Sequence, residues 1–202
     1  MSALDQLIPD PHLVELHRLR IAAPGRAVWQ RVRHGALAET LPIRALFALR
    51  SAMVRGDHGS SPTIRIDDLH SSEDRPGFQI LIDDPPREFV VAAIGKVWRP
   101  KIPFVHIPTA HDFASFGQPG FIKVAWALRV RPVDEPDACQ VEVEVRVHAT
   151  DIPSWRKFRC YFWVVGPFSR FIRRSLLKAI AREMGAPARR RSSSPAHRHV
   201  AP

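Results

Sequence analysis

Ten histidines and two cysteines are spread over 202 residues. One stretch, "HIPTAHD", brings titratable side chains close together: His106, His111 and Asp112. Such groups could pass protons as general acid and base at the mouth of a cavity. The H-x4-H-D spacing fits neither one face of a helix nor a zinc pattern, and Cys139 and Cys160 stand far off. No metal and no cofactor is therefore expected. No glycine-rich phosphate loop, dinucleotide fingerprint or nucleophile elbow occurs. Cys160 is read as buried and inert, and a disulfide to Cys139 would need a slip of several residues. Asp151 in "HATDIP" reads as a turn residue.

Lys and Arg number 30 against 20 Asp and Glu, giving a net charge of +10. Such a field attracts phosphates, acidic lipid and acidic proteins alike. Arg189, Arg190, Arg191 and Arg198 place part of it in a low-complexity Arg/Ser/Pro stretch, 187–202, which is expected to be a disordered tail. The opening "MSALDQLIPDPH" lacks the basic and apolar regions of a signal peptide. The apolar runs are too short to span a bilayer. The expectation is a cytoplasmic protein with one domain over 12–186.

Turn residues divide that domain. "HLVELHRLRIAA" (12–23) reads as a strand. "PGRAVWQRVRHG" reads as a short helix with Val28, Val32 and Trp29 on one side. A second helix is expected over 37–53 and a strand at "TIRIDDL". "FQILIDDPPREFVVAAIGKVWRP" reads as a hairpin turning at "DDPPRE". The Pro-rich 101–120 reads as a long connection. "FIKVAWALRVRPV" is a strand, and "CQVEVEVRVHA" is the clearest period-two strand in the chain. "RKFRCYFWVV" (156–165) reads as a last strand ended by "GP". Its Arg159 or Tyr161 would meet Glu144 across a solvent-facing side. "FSRFIRRSLLKAIAREM" (168–184) closes the domain as a helix with Ser169 at its N-cap.

On a helical wheel Phe168, Phe171, Ile172, Leu176, Ala179 and Ile180 share one arc of that last helix. Arg170, Arg174, Lys178 and Arg182 take the opposite arc, with Arg173 at the boundary. The apolar arc suits a helix packed on a sheet. The basic back could touch an anionic surface. Nucleic acid is not the expected partner, because stacking needs exposed aromatics beside the basic groups, and Trp163 and Tyr161 beside Arg159 are the best available.

Strand, short helices, antiparallel strands and a long final helix imply an α+β fold. The order resembles the START and polyketide-cyclase-like (SRPBCC) superfamily. So does the texture of "REFVVAAIGKVWRP", "FASFGQPGFIKVAWALRV", "VEVRVHATD" and "FRCYFWVVGPFSRFIRRSLLKAI". The resemblance implies a helix-grip fold, with a curved antiparallel sheet of about six to seven strands around the C-terminal helix. It also implies a cavity between them for an apolar or amphipathic small molecule: a lipid, a sterol-like compound or an aromatic one. Its lining would include Phe78, Ile80, Ala93, Gly95, Val124, Trp126, Val143, Val145, Phe162, Ile172 and Leu176.

Three functions fit this reading. One is a carrier of an apolar or amphipathic molecule, without covalent chemistry. Another is a cyclase or dehydratase-type enzyme, which requires His106, His111 or Asp112 to converge on the cavity. The third is an interaction module that uses the basic helix back for anionic membrane or nucleic acid.

Overall fold

The computed structural model describes residues 2–34, 69–135 and 137–184. The helix expected over 37–53, the tail 187–202 and all but the last residue of "TIRIDDL" lie outside them. In chain order the elements are α1 (Ala3–Leu7), β1 (Leu13–Ile21), α2 (Gly25–His34), β2 (Gln79–Asp84), β3 (Glu88–Gly95) and β4 (Phe104–Val105). Then come α3 (Ala110–Ser115), β5 (Ile122–Pro132), β6 (Cys139–Ala149) and α4 (Ile152–Glu183). Five strands form an antiparallel sheet in the order β1-β6-β5-β3-β2, with β4 paired to β3. The long C-terminal helix packs on one face of that sheet. This is the α+β, helix-grip arrangement.

The hairpin β2–β3 turns at Asp84–Arg87 as expected, and α2 buries Val28, Trp29 and Val32. The stretch 156–165 is helical and not a strand. The helix begins at Asp151, whose carboxylate accepts the Ser154 backbone N–H at 2.6 Å, with Pro153 in the first turn. So Asp151 is the N-cap and Ser169 is not. Asp followed by Pro is a strong helix start. Pro167 sits inside the helix and ends nothing. It leaves one carbonyl of the preceding turn without its helical donor, on the exposed side.

As a result, Cys160 is exposed on α4 while Cys139 is buried at the start of β6, and both are free thiols. Glu144 does not pair with Arg159 or Tyr161. The strands flanking β6 are β5 and β1.

The other face of the sheet is covered too. Ser2 caps α1 and exchanges bonds with Asp5. Leu4, Leu7 and Ile8 of this segment pack with Ile107 and Phe113 against Val90, Ala92, Ile94, Ala125 and Ala127. Lys123, 6% exposed, donates to the Ala114 carbonyl at 2.8 Å and ties down the end of α3. Burial lowers its pKa.

Charged strand residues on that face are buried as pairs. Arg129 bonds Glu88 at 2.7 Å and Glu144 at 2.6 Å. Arg146 bonds Glu144 at 2.7 Å and Asp5 at 2.7 Å. Arg146 also donates to the Ile8 carbonyl at 3.1 Å. Asp5, held by its bonds to the Ser2 backbone and to Arg146, has its pKa lowered to about 2.

Two stability outcomes follow. Arg129→Met strands the Glu88 carboxylate and takes one of two arginine partners from Glu144, and we expect urea unfolding to show a loss of about 3 kcal/mol. A Cβ at Gly95 would lie 2.9 Å from Ile102 Cγ2 and 3.0 Å from Phe104 Cδ1. Gly95→Ala should therefore cost about 1–3 kcal/mol through overpacking, measured the same way.

Candidate functional site

Alternation along β6 turns Val141, Val143, Val145 and Val147 toward α4. The register carries this face across the sheet: Val145 lies opposite Trp126 of β5, which lies opposite Val91 of β3. At one end of the groove Leu177, Ile180 and Ala181 of α4 close against Leu19, Ile21, Val28, Trp29 and Val141. At the other, Phe158 closes against Val97, Ile122, Val147 and Ala149, with Trp155 stacked on its ring.

Between these two ends several apolar side chains are less completely buried. Phe78 just before β2, Ile80, Val124, Trp126 and Val145 of the sheet, and Phe162 and Leu176 of α4, are only partly buried although they pack against the two core clusters. Ile172, one turn before Leu176, is partly buried as well. Ala93 and Val143, also expected in the lining, are fully buried. Gly95 leaves no room beside the helix, because Ile102 and Phe104 fill the space over it. Phe162 reaches the groove from the helix and not from a strand.

Of the polar candidates, His106 is engaged by Ser71 and the other two belong to α3. His106 Nδ1 lies 3.0 Å from Ser71 Oγ. Asp112 belongs to the N-terminal cap of α3, where Thr109 Oγ1 donates to its carboxylate at 2.7 Å and accepts its backbone N–H at 3.1 Å. His111 and Asp112 are exposed on α3, whose Phe113 packs on the sheet face away from α4. His111 and Asp112 thus lie on the side of the sheet away from α4. Among the described residues no cluster of three or more His, Cys, Asp or Glu could hold a metal ion.

A different polar group borders the groove. Glu15 and His17 of edge strand β1 lie opposite Val145 and Val143, on the same inward face. Glu15 is 9% exposed and ion-paired to both Arg170 and Arg173 of α4. Arg173 also donates to Ser169 Oγ at 2.8 Å. The Arg170 guanidinium stands 5.9 Å from the Phe162 ring centre, which joins this polar pole to the apolar lining.

Burial, with Arg174 adding to it, lowers the Arg173 pKa to about 10, so the group stays cationic at neutral pH. Burial, then Arg174 and Arg170, lowers the pKa of His17 and keeps it neutral. His17 Nδ1 and Arg173 Nε are buried without hydrogen-bond partners. Sequence alone did not single out Glu15, His17 or an inward Arg173. Along "LVELHRLRI" polar residues fall on both sides of the strand, so no face declares itself, and Arg173 lay at the boundary of its wheel.

The state of His17 gives stability a pH dependence. Below its ordinary value of 6.5 the unfolded chain binds a proton that the folded chain resists. Stability therefore falls as pH drops from 6.5 toward the lower folded value. His12, lowered by burial and by His148, acts in the same direction. Urea unfolding at about pH 5 and about pH 7.5 should show this loss in the wild type and a smaller one in His17→Asn.

No family model matches the chain, and no curated protein matches it. Solved structures resemble it weakly. A protein of Nitrosospira multiformis is 12% identical, with 85% of this chain and 96% of that one covered and a TM-score of 0.41. Truncated norcoclaurine synthase of Thalictrum flavum is 12% identical over 85% of this chain and 92% of that one, with a TM-score of 0.42. The CalU16 protein of Micromonospora echinospora is 16% identical over 85% and 83%, with a TM-score of 0.28. At these scores the likenesses carry no argument about function, which rests on the groove and its polar pole.

Proposed function

We propose that this protein binds an amphipathic small molecule between its sheet and α4 and carries it without covalent chemistry. The observation that supports this most is the contrast along the groove. Its two ends are sealed, while the apolar side chains between them stay partly exposed. A packed core would bury Trp126, Val145, Ile172 and Leu176 as fully as it buries Leu128 and Val143. An apolar body seated there would remove that surface from water, at about 25 cal/mol per Å².

The pole at Glu15, His17 and Arg173 supports the amphipathic part of the reading. Two arginines answer one carboxylate, and two buried nitrogens have no partner. A polar head, preferentially anionic, would satisfy them. In this reading Phe78, Ile80, Val124, Trp126, Val145, Phe162, Ile172 and Leu176 meet the apolar body.

Anilinonaphthalene sulfonate, an apolar ring system with an anionic head, is a suitable probe. The wild type should bind it with saturable fluorescence enhancement. Val145→Trp, which fills the groove from the sheet, and Ile172→Trp, which fills it from the helix, should each weaken binding by about ten-fold or more while keeping a cooperative thermal transition. Equal probe affinity in the wild type and both folded variants would sink the proposal.

A further inference from the structure

The side of α4 turned away from the sheet is not the uniformly basic back that the wheel implies. Trp163 is 83% exposed, Phe171 60%, Phe168 49% and Val164 48%. Residues follow one another at about 100° around a helix, so Val164, Pro167, Phe168 and Phe171 lie on one arc with Trp163 at its border. Phe168 and Phe171, expected in the core, belong to this outer arc. Ile172, Leu176 and Ile180 face inward instead. The apolar section spans eight rises from 163 to 171, about 12 Å.

Basic residues bracket it on the same side. Arg156 and Lys157 precede it, and Arg174, Lys178 and Arg182 follow; Arg159 lies off the arc. Glu183 is the sole acid of α4, and it is engaged by Arg31 at 2.7 Å. No ion pair among the described residues neutralises Arg159, Arg174, Lys178 or Arg182. Exposed tryptophan and phenylalanine between flanking cations match the interface between water and the acyl region of an anionic bilayer. The rings enter the headgroup boundary while the guanidinium and ammonium groups meet lipid phosphates.

A second copy of the chain fits less well. An antiparallel two-fold contact through this arc would set one copy's Arg156 and Lys157 against the other's Arg174–Arg182, with no carboxylate between. Nucleic acid fits less well too, because the middle of the surface, where phosphates would pass, is apolar and includes an aliphatic Val164.

We infer that the outer face of α4 docks the protein onto an anionic lipid surface, with Trp163, Val164, Phe168 and Phe171 inserted and the two basic ends on the headgroups. The inference is independent of the groove and of what it binds. The test is co-sedimentation of the full chain with vesicles of phosphatidylcholine alone or with about a third phosphatidylglycerol. Binding should be at least about ten-fold stronger to the anionic vesicles and should weaken as salt rises.

Trp163→Ser/Phe171→Ser touches only exposed side chains, so it should keep the wild-type melting temperature and lose about ten-fold or more of the anionic-vesicle binding. Lipid brominated in its acyl chains should quench wild-type fluorescence more than that of Trp163→Phe. Undiminished vesicle binding by the double variant, or equal quenching in wild type and Trp163→Phe, would overturn the proposal. Self-association in the absence of lipid that the double variant abolishes would overturn it in favour of a second copy. Oligonucleotide binding lost in the double variant, with vesicle binding intact, would overturn it in favour of nucleic acid.

Discussion

One carboxylate sets the geometry of the groove. Glu15 points from β1 into an interior built mostly of valine, leucine and aromatic rings. An ionised carboxylate out of water is tolerated only when paired. Its strand neighbour in register is Val145, so the partners must come from the helix overhead. Arg170 and Arg173 lie three residues apart, close to one turn, and both reach it. This clamp holds the middle of α4 at the reach of an arginine side chain. Leu177 and Ile180 anchor one end of the contact and Phe158 the other. A helix fixed at three places over a sheet bridges what lies between them, and the partly exposed side chains are found there.

The sheet can hold such an interior because its other face is independently secured. β5 and β6 alternate apolar and charged residues, the usual mark of one dry and one wet face. Here the charged face is dry as well. Arg129, Glu144 and Arg146 pair in a chain that ends on Asp5, and Lys123 holds α3. Buried ion pairs add little net stability over apolar packing, but they penalise any register that separates the partners. A slip of β6 against β5 by one residue would turn Glu142 and Glu144 into the apolar groove. The polar layer thus enforces the strand register on which the groove depends.

Much of this fold was legible from period and punctuation. The clean alternation in "VEVEVRVHA", the turn at "DDPPRE" and the spacing of Val28, Trp29 and Val32 each had one structural meaning. The stretch 156–165 had two. Phe158, Cys160, Phe162 and Val164 satisfy a strand, while Phe158, Tyr161, Phe162 and Val165 satisfy a helix equally well, and aromatic content tips the choice toward strand. The deciding signal lies upstream, in Asp151 and Pro153, which suit a turn as well as a helix start. Downstream, Gly166–Pro167 resembled a stop; tertiary packing on the sheet overrode it. The site was partly legible. Inward apolar positions follow from alternation once the strands are known. Glu15 and Arg173 do not, because each gains its meaning from a partner about 155 residues away in sequence.

α4 therefore has three sectors where a core helix needs two. Phe162, Ile172 and Leu176 face the sheet. Arg170 and Arg173 reach toward β1. Trp163, Val164, Phe168 and Phe171 look outward. The third sector leaves about half or more of each side chain's surface in water. Four large apolar groups clustered in that state oppose solubility and need a compensating contact. The two proposals meet in this helix. Its inner side lines a space for an amphipathic molecule, and its outer side fits the surface where amphipathic molecules reside. The helix is fixed to the sheet at both ends and clamped in its middle, so outward docking need not disturb the inward lining.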